Sequence, residues 1–149
     1  MLDVNYEDPL TPRPLWQACV SNPRHVPAAV TRAKLITRTY LTMAKKAQMG
    51  SNHKAECLLC GKDVEDTAHL LVSCKELKNT RKDGLLKLTQ LGFNINNQKD
   101  MARTLLNGPS KNNLTKGNYI RIQNQLNALC HRLHHHRHNL LATKGHNDN

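Results

Sequence analysis

Acidic residues are missing from most of this sequence. Residues 9–55 hold eight Lys or Arg and no Asp or Glu, and residues 101–147 hold seven and again none. The middle segment, 56–100, carries seven of each sign, and three acids with no base lie in residues 1–8. The 149-residue chain therefore has a formal net charge of +11, with nine histidines uncounted. Two purely cationic stretches around a neutral one point to a polyanionic partner, RNA or DNA, with solubility alone as the simpler alternative.

Large rings are equally scarce. Aromatics make up 3% of the chain, with a single Trp and a single Phe, so the core must be built from Leu, Ile, Val and Ala and is expected to need a staple. Trp16, Tyr40, Phe93 and Tyr119 are scattered, which disfavours reading of single strands by base stacking and favours salt-sensitive Lys/Arg contacts to phosphates. No apolar run approaches the roughly 20 residues that span a bilayer, and the first eight residues are acidic where a leader would be basic. A soluble chain without membrane attachment, cytoplasmic or nuclear, is expected. The polymerase type of paired aspartates, an acidic trio for two-metal chemistry and an endonuclease-like Pro-Asp motif are all absent, so the expected role is not enzymatic.

What is present is helical periodicity. Five of the six prolines fall between residues 9 and 27 and predict an extended arm over 1–26 with one turn near residues 15–20. Val30, Ala33, Ile36, Tyr40, Ala44 and Ala47 predict a helix over about 27–48, opened by Pro27 and stopped by Gly50. Thr67 is the expected cap of a helix that carries His69. Leu77, Arg81, Leu85, Leu88 and Leu91 predict a helix over 76–91 with Gly84 as a weak point, and Asn96 or Asn97 is expected to cap a short helix through Leu106. Tyr119, Ile122, Leu126, Leu129, Leu133 and Leu140 form a seam on a long final helix over 117–143, interrupted at His136 and expected to pack on the chain's own helices. The fold class is mostly α: a small helical domain, 27–108, with a zinc-knuckle-like loop at 56–75, a basic amphipathic helix within 109–145, and a tail over 146–149.

Three of the five cysteines lie within eighteen positions beside a histidine. Cys57 and Cys60, then His69, then Cys74 form C-x2-C-x8-H-x4-C. The first pair suits a tight chelating turn that Gly61 reverses, and three thiolates with one imidazole close a tetrahedral Zn2+ shell with no open position, a structural site. His69 and Cys74, five apart, cannot share a regular helical face, so the helix must distort or end near Cys74. Zinc would also stabilise the modest core directly. Ordinary buried thiols beside a core histidine are the alternative.

The run from Glu56 to Cys74, with Cys57-Leu-Leu-Cys60, Glu65-Asp-Thr and His69-Leu-Leu-Val-Ser-Cys74, resembles the zinc-binding domain that follows the polymerase in reverse transcriptases of non-LTR retrotransposons. Ala33 to Tyr40 and Leu129 to Arg137 are similar to the flanking helices of such proteins. The resemblance implies Cys57, Cys60, His69 and Cys74 as ligands. It also implies the C-terminal region of such a protein, separated from its polymerase. A non-catalytic nucleic-acid-binding module follows as the expectation, with Arg32, Lys34, Arg38, Lys45 and Lys46 on one helix and Arg121, Arg132 and Arg137 on another meeting phosphates. A module that docks onto a protein, the polymerase or another partner, and an inactive element remnant are the alternatives.

Cys130, His134 and His138, spaced by four, could present a metal-ligating stripe, with His131 and His135 as a second pair beside it. No Asp or Glu is near to orient the rings, so the stripe is read as a cationic face that gains charge near pH 6. Cys19 and Cys130 are read as buried thiols.

Overall fold

The computed structural model describes Trp16, Cys19 and residues 22–50, 52–95, 100–110 and 114–146. Most of the expected arm and turn, the Asn96 and Asn97 caps and residues 147–149 lie outside them. Among the described residues the α-helices are α1 (Val26–Ile36), α2 (Met43–Gln48), α3 (Lys78–Gln90), α4 (Met101–Asn107) and α5 (Lys116–Thr143). A 3-10 turn, Pro23–His25, leads into α1, while a π-helical turn, His69–Ser73, and a 3-10 turn, Lys75–Leu77, lead into α3. Among the described residues there is no strand, only one antiparallel bridge between Glu56 and Val64.

The expected 27–48 helix is two helices. Thr39 and Tyr40 both donate backbone N–H groups to the Lys34 carbonyl, and Arg38 turns through a positive φ of 61°. Thr37, Thr39 and Thr42 are poor helix formers whose hydroxyls compete for local backbone groups. Thr42 then caps α2 by accepting from the Lys45 amide at 3.1 Å. The Met43 amide donates to the buried Glu65 carboxylate at 2.9 Å, a partner twenty-two residues away that helical spacing does not reveal.

α5 is the axis of the fold and packs against both α1 and α3. Thr115 caps it, accepting from the Asn118 amide. Ile122, Leu126, Leu129 and Leu133 are buried against Ala29 and Leu35 of α1, Leu88 of α3 and Leu105 and Leu106 of α4 in one continuous core. Each such leucine contributes roughly 1.5–3 kcal/mol of transfer free energy. The seam departs from the expected one after Leu133: Arg137 and Leu141 are buried, while Leu140 is only partly covered. A 3.6-residue turn drifts against a seven-residue spacing, so the buried line moves on to positions 137 and 141. The displaced His136 meets the Thr80 hydroxyl at 2.7 Å instead. Among the described residues no helix is long and apolar enough to cross a membrane.

Candidate metal centre

The loop between α2 and α3 is built around four side chains. The bridge between Glu56 and Val64 closes a small hairpin, and Cys57 donates its amide to the Asp63 carbonyl at 2.7 Å. Inside it the Gly61 amide returns to the Cys57 carbonyl at 2.8 Å, with Gly61 at a φ of 68° that favours glycine. This reversal puts the Cys57 and Cys60 sulfurs on one side of the turn. Backbone N–H groups of Leu59 and Cys60 bond to the Cys57 sulfur, and those of Glu76 and Leu77 to the Cys74 sulfur.

The other two groups come from the π-helical turn. Asp66, one residue before the expected cap Thr67, accepts the His69 amide at 2.7 Å and starts the turn. The Cys74 amide then donates to the His69 carbonyl at 2.8 Å, an i to i+5 bond. This wider winding puts two residues five apart on the same side, which a regular α-helix cannot do. The expected distortion near Cys74 is therefore a π turn. Its carbonyls need outside donors, and the buried Arg81 of α3 supplies them to Leu71 at 2.7 Å, Cys74 at 3.1 Å and Leu70 at 3.3 Å.

One ligand atom from each of Cys57, Cys60, His69 and Cys74 lies within 4.8 Å of the other three, so the four residues can hold a metal ion. Cys57 and Cys74 sulfurs are 3.9 Å apart, and Cys60 Sγ is 3.5 Å from His69 Nε2. Cys57, His69 and Cys74 are buried and Cys60 is half-buried. The hydrogen bond with Cys57 and the two backbone amides hold Cys74 below the ordinary thiol range.

Glu65 and Arg137 clamp this loop to α5. Arg137 donates Nε to Glu65 Oε2 at 3.0 Å and Nη2 to Oε1 at 2.8 Å, with both side chains 1% exposed. Glu65 Oε2 also lies 3.8 Å from the Cys57 sulfur, and the guanidinium stacks 5.8 Å over the Tyr40 ring. On another side Lys144 Nζ donates to the Leu59 carbonyl at 2.7 Å. Sequence reasoning missed Glu65, Arg81, Arg137 and Lys144 as supports of the centre. A usable signal existed for Arg81 alone, because an arginine on an apolar helical spacing requires buried acceptors.

Two of the cations expected to meet phosphates are thus elsewhere. Arg137 occupies the buried line of α5. Arg32 lies three residues from both Ala29 and Leu35, on the core face of α1, and is 1% exposed. It donates to Gln123, Asn127 and the Leu106 carbonyl, and burial pulls its pKa down to about 10. Lys34, Arg38, Arg121 and Arg132 are exposed, and Lys45 and Lys46 are half-buried. Arg132 lies 3.6 Å from Asp83, which Lys87 shares at 3.4 Å. Arg38 and Lys45 line a cleft of about 460 Å3 beside Asp66 and Thr67. Arg121 lines another of about 400 Å3 with Arg24 and His25, and Arg24 is a residue that sequence reasoning passed over.

The Cys130, His134 and His138 stripe does not converge. Cys130 is buried, with its thiol pushed up to about 11 by desolvation, and His134 bonds to the Tyr40 hydroxyl at 2.7 Å. Comparison of the chain with protein-family models, curated proteins and solved structures returns no match.

Proposed function

We propose that the chain is a non-catalytic nucleic-acid-binding module whose loop is closed by one structural Zn2+ held by Cys57, Cys60, His69 and Cys74. The spacing of these ligand atoms carries the zinc reading. A tetrahedron with Zn–S near 2.3 Å and Zn–N near 2.0 Å separates two sulfurs by about 3.8 Å and sulfur from nitrogen by about 3.5 Å. The Cys57–Cys74 and Cys60–His69 separations are 3.9 and 3.5 Å, and all four ligand atoms lie within 4.8 Å of one another. Three thiolates favour Zn2+ over harder ions, and four protein ligands leave no position for substrate. The amides on both sulfurs and the Arg137–Glu65 clamp are the supporting shell such a site needs.

The polyanion reading is supported by how the acids are spent. Glu65 is consumed by Arg137, Asp66 by the His69 amide, and Asp83 by Lys87 and Arg132. Arg24, Lys34, Lys45 and Arg121 have no acidic partner among the described residues. Docking of a protein through the apolar seam of α5 has less support, because that seam is buried on α1 and α3. The likeness to the zinc-binding region of retrotransposon reverse transcriptases rests on the residues from Glu56 to Cys74 and is part of the same proposal.

A salt series tests the reading. Single-stranded RNA and duplex DNA are titrated with the zinc-loaded chain, and the logarithm of the binding constant should fall steeply with the logarithm of salt. Arg121→Gln and Lys45→Gln should each lower the slope by about one while leaving the fold intact. Binding that is absent at low salt, or a slope that neither variant changes, would overturn it.

A further inference from the structure

A pair of imidazoles converges on α5 at the edge of its interface with α1. His131 and His135 are one helical turn apart, and their Nε2 atoms are 3.0 Å from each other. The rings are edge to face, with centroids 4.3 Å apart. His135 is exposed and His131 half-buried, so the two nitrogens meet at the surface, where an ion from solution can reach them.

One ring is already set in a ligating form. Thr31 Oγ1 lies 3.2 Å from the Pro27 carbonyl, to which its one hydroxyl proton is donated. The same oxygen is 2.9 Å from His131 Nδ1, and in the arrangement proposed below it accepts there from Nδ1–H. That leaves Nε2 of His131 with its lone pair aimed at His135. Burial and the neighbouring His135 hold the His131 pKa below the ordinary imidazole value. The orienting group whose absence counted against a histidine site in the sequence is therefore a threonine from α1, a hundred residues away.

We propose that His131 and His135 form a bidentate site for a borderline divalent transition ion of the Ni2+, Cu2+ or Zn2+ class, separate from the cysteine centre. Two imidazole nitrogens in adjacent coordination positions at 2.0–2.1 Å from one ion stand about 2.8–3.4 Å apart, and the observed 3.0 Å falls in that interval. Imidazole nitrogen suits these metals. Only the ligands at His131 and His135 come from the chain, so water or an incoming ligand would complete the shell. The site is thus open and exchangeable, whereas the cysteine centre is closed. Occupancy would also tie successive turns of α5 together next to α1. His134 and His138 do not join the pair: among the described residues the cysteine centre is the group of three or more ligating side chains that converges.

The test titrates the zinc-loaded chain with Ni2+ by calorimetry. Wild type should bind one equivalent, and His135→Ala, a substitution at an exposed position that favours helix, should weaken that event by about tenfold or more. His138→Ala should bind as wild type does. Thr31→Val should weaken binding about tenfold by releasing the tautomer, and Thr31→Ser should restore it. Equal affinity in wild type and His135→Ala would overturn the site, as would equal losses in His135→Ala and His138→Ala. Full affinity in Thr31→Val would overturn the role given to Thr31.

Discussion

Along α5, Ile122, Leu126, Leu129 and Leu133 meet α1 and α3 through buried hydrocarbon, whereas Arg137 in the last turns and Lys144 just beyond them meet the cysteine loop through charged donors on a carboxylate and a carbonyl. The first half is held by area, spread over many contacts, each modest and replaceable. The second is held by a handful of groups, each of which leaves a buried charge or an open carbonyl if removed. The loop sends Leu59, Leu70 and Leu71 into the core, and its polar framework rests on the Cys57, Cys60, His69 and Cys74 cluster, Arg81 on the π turn, and the Arg137–Glu65 clamp. The teaching is that one helix joins a region governed by packing to a region governed by coordination and hydrogen bonding.

The largest separation of the two regions should come from metal removal. Chelation, or Cys57→Ser with Cys60→Ser, should cost several kcal/mol and lower the Tm by about 10 °C or more. Hydrogen exchange should show protection lost at Leu70, Leu71 and Cys74 while the amides of Leu126 and Leu129 stay protected. Loss spread evenly over both sets would break the comparison. Because the ligands must be deprotonated to bind metal, acid should release it, so the same loss should appear as pH falls.

Next in size, Arg137→Met should cost about 3–5 kcal/mol in urea unfolding, because it strands the Glu65 carboxylate in the interior. Adding Glu65→Gln should recover part of that cost, and a single variant as stable as wild type would remove the clamp from the account. Leu126→Ala should cost about 2–5 kcal/mol through the cavity it leaves, yet keep the full metal content. Gly84→Ala is the smallest and the most pointed. Alanine favours helix by up to about 1 kcal/mol, but a Cβ there collides with the buried Leu129 side chain. The variant should lose about 1–3 kcal/mol of stability, and a gain would show that the contact between α3 and α5 is looser than described.

Much of the apolar half was legible in advance. The seam from Tyr119 to Leu133 and the span of α5 follow from helical spacing, and the convergence of Cys57, Cys60, His69 and Cys74, with a distortion before Cys74, follows from their C-x2-C-x8-H-x4-C spacing. The failures share a cause. Arg32 and Arg137 carry charge, so spacing assigned them to solvent, yet both occupy core-face positions where distant acceptors satisfy them. At the start of α2 the Met43 amide is met by Glu65, and on α5 the His131 ring is met by Thr31. Such partners are twenty to a hundred residues apart in the chain, and local periodicity holds no record of them.

The central claim is that Cys57, Cys60, His69 and Cys74 close on a single ion. Its most direct test is the zinc content of the purified His135→Ala protein, with and without Cys60→Ser, since removing the helix pair leaves the cysteine centre as the one site proposed. One zinc per chain, lost together with loop order in the Cys60→Ser variant, is the predicted result. A protein that holds no stoichiometric metal, or the same amount in both variants, would contradict the account.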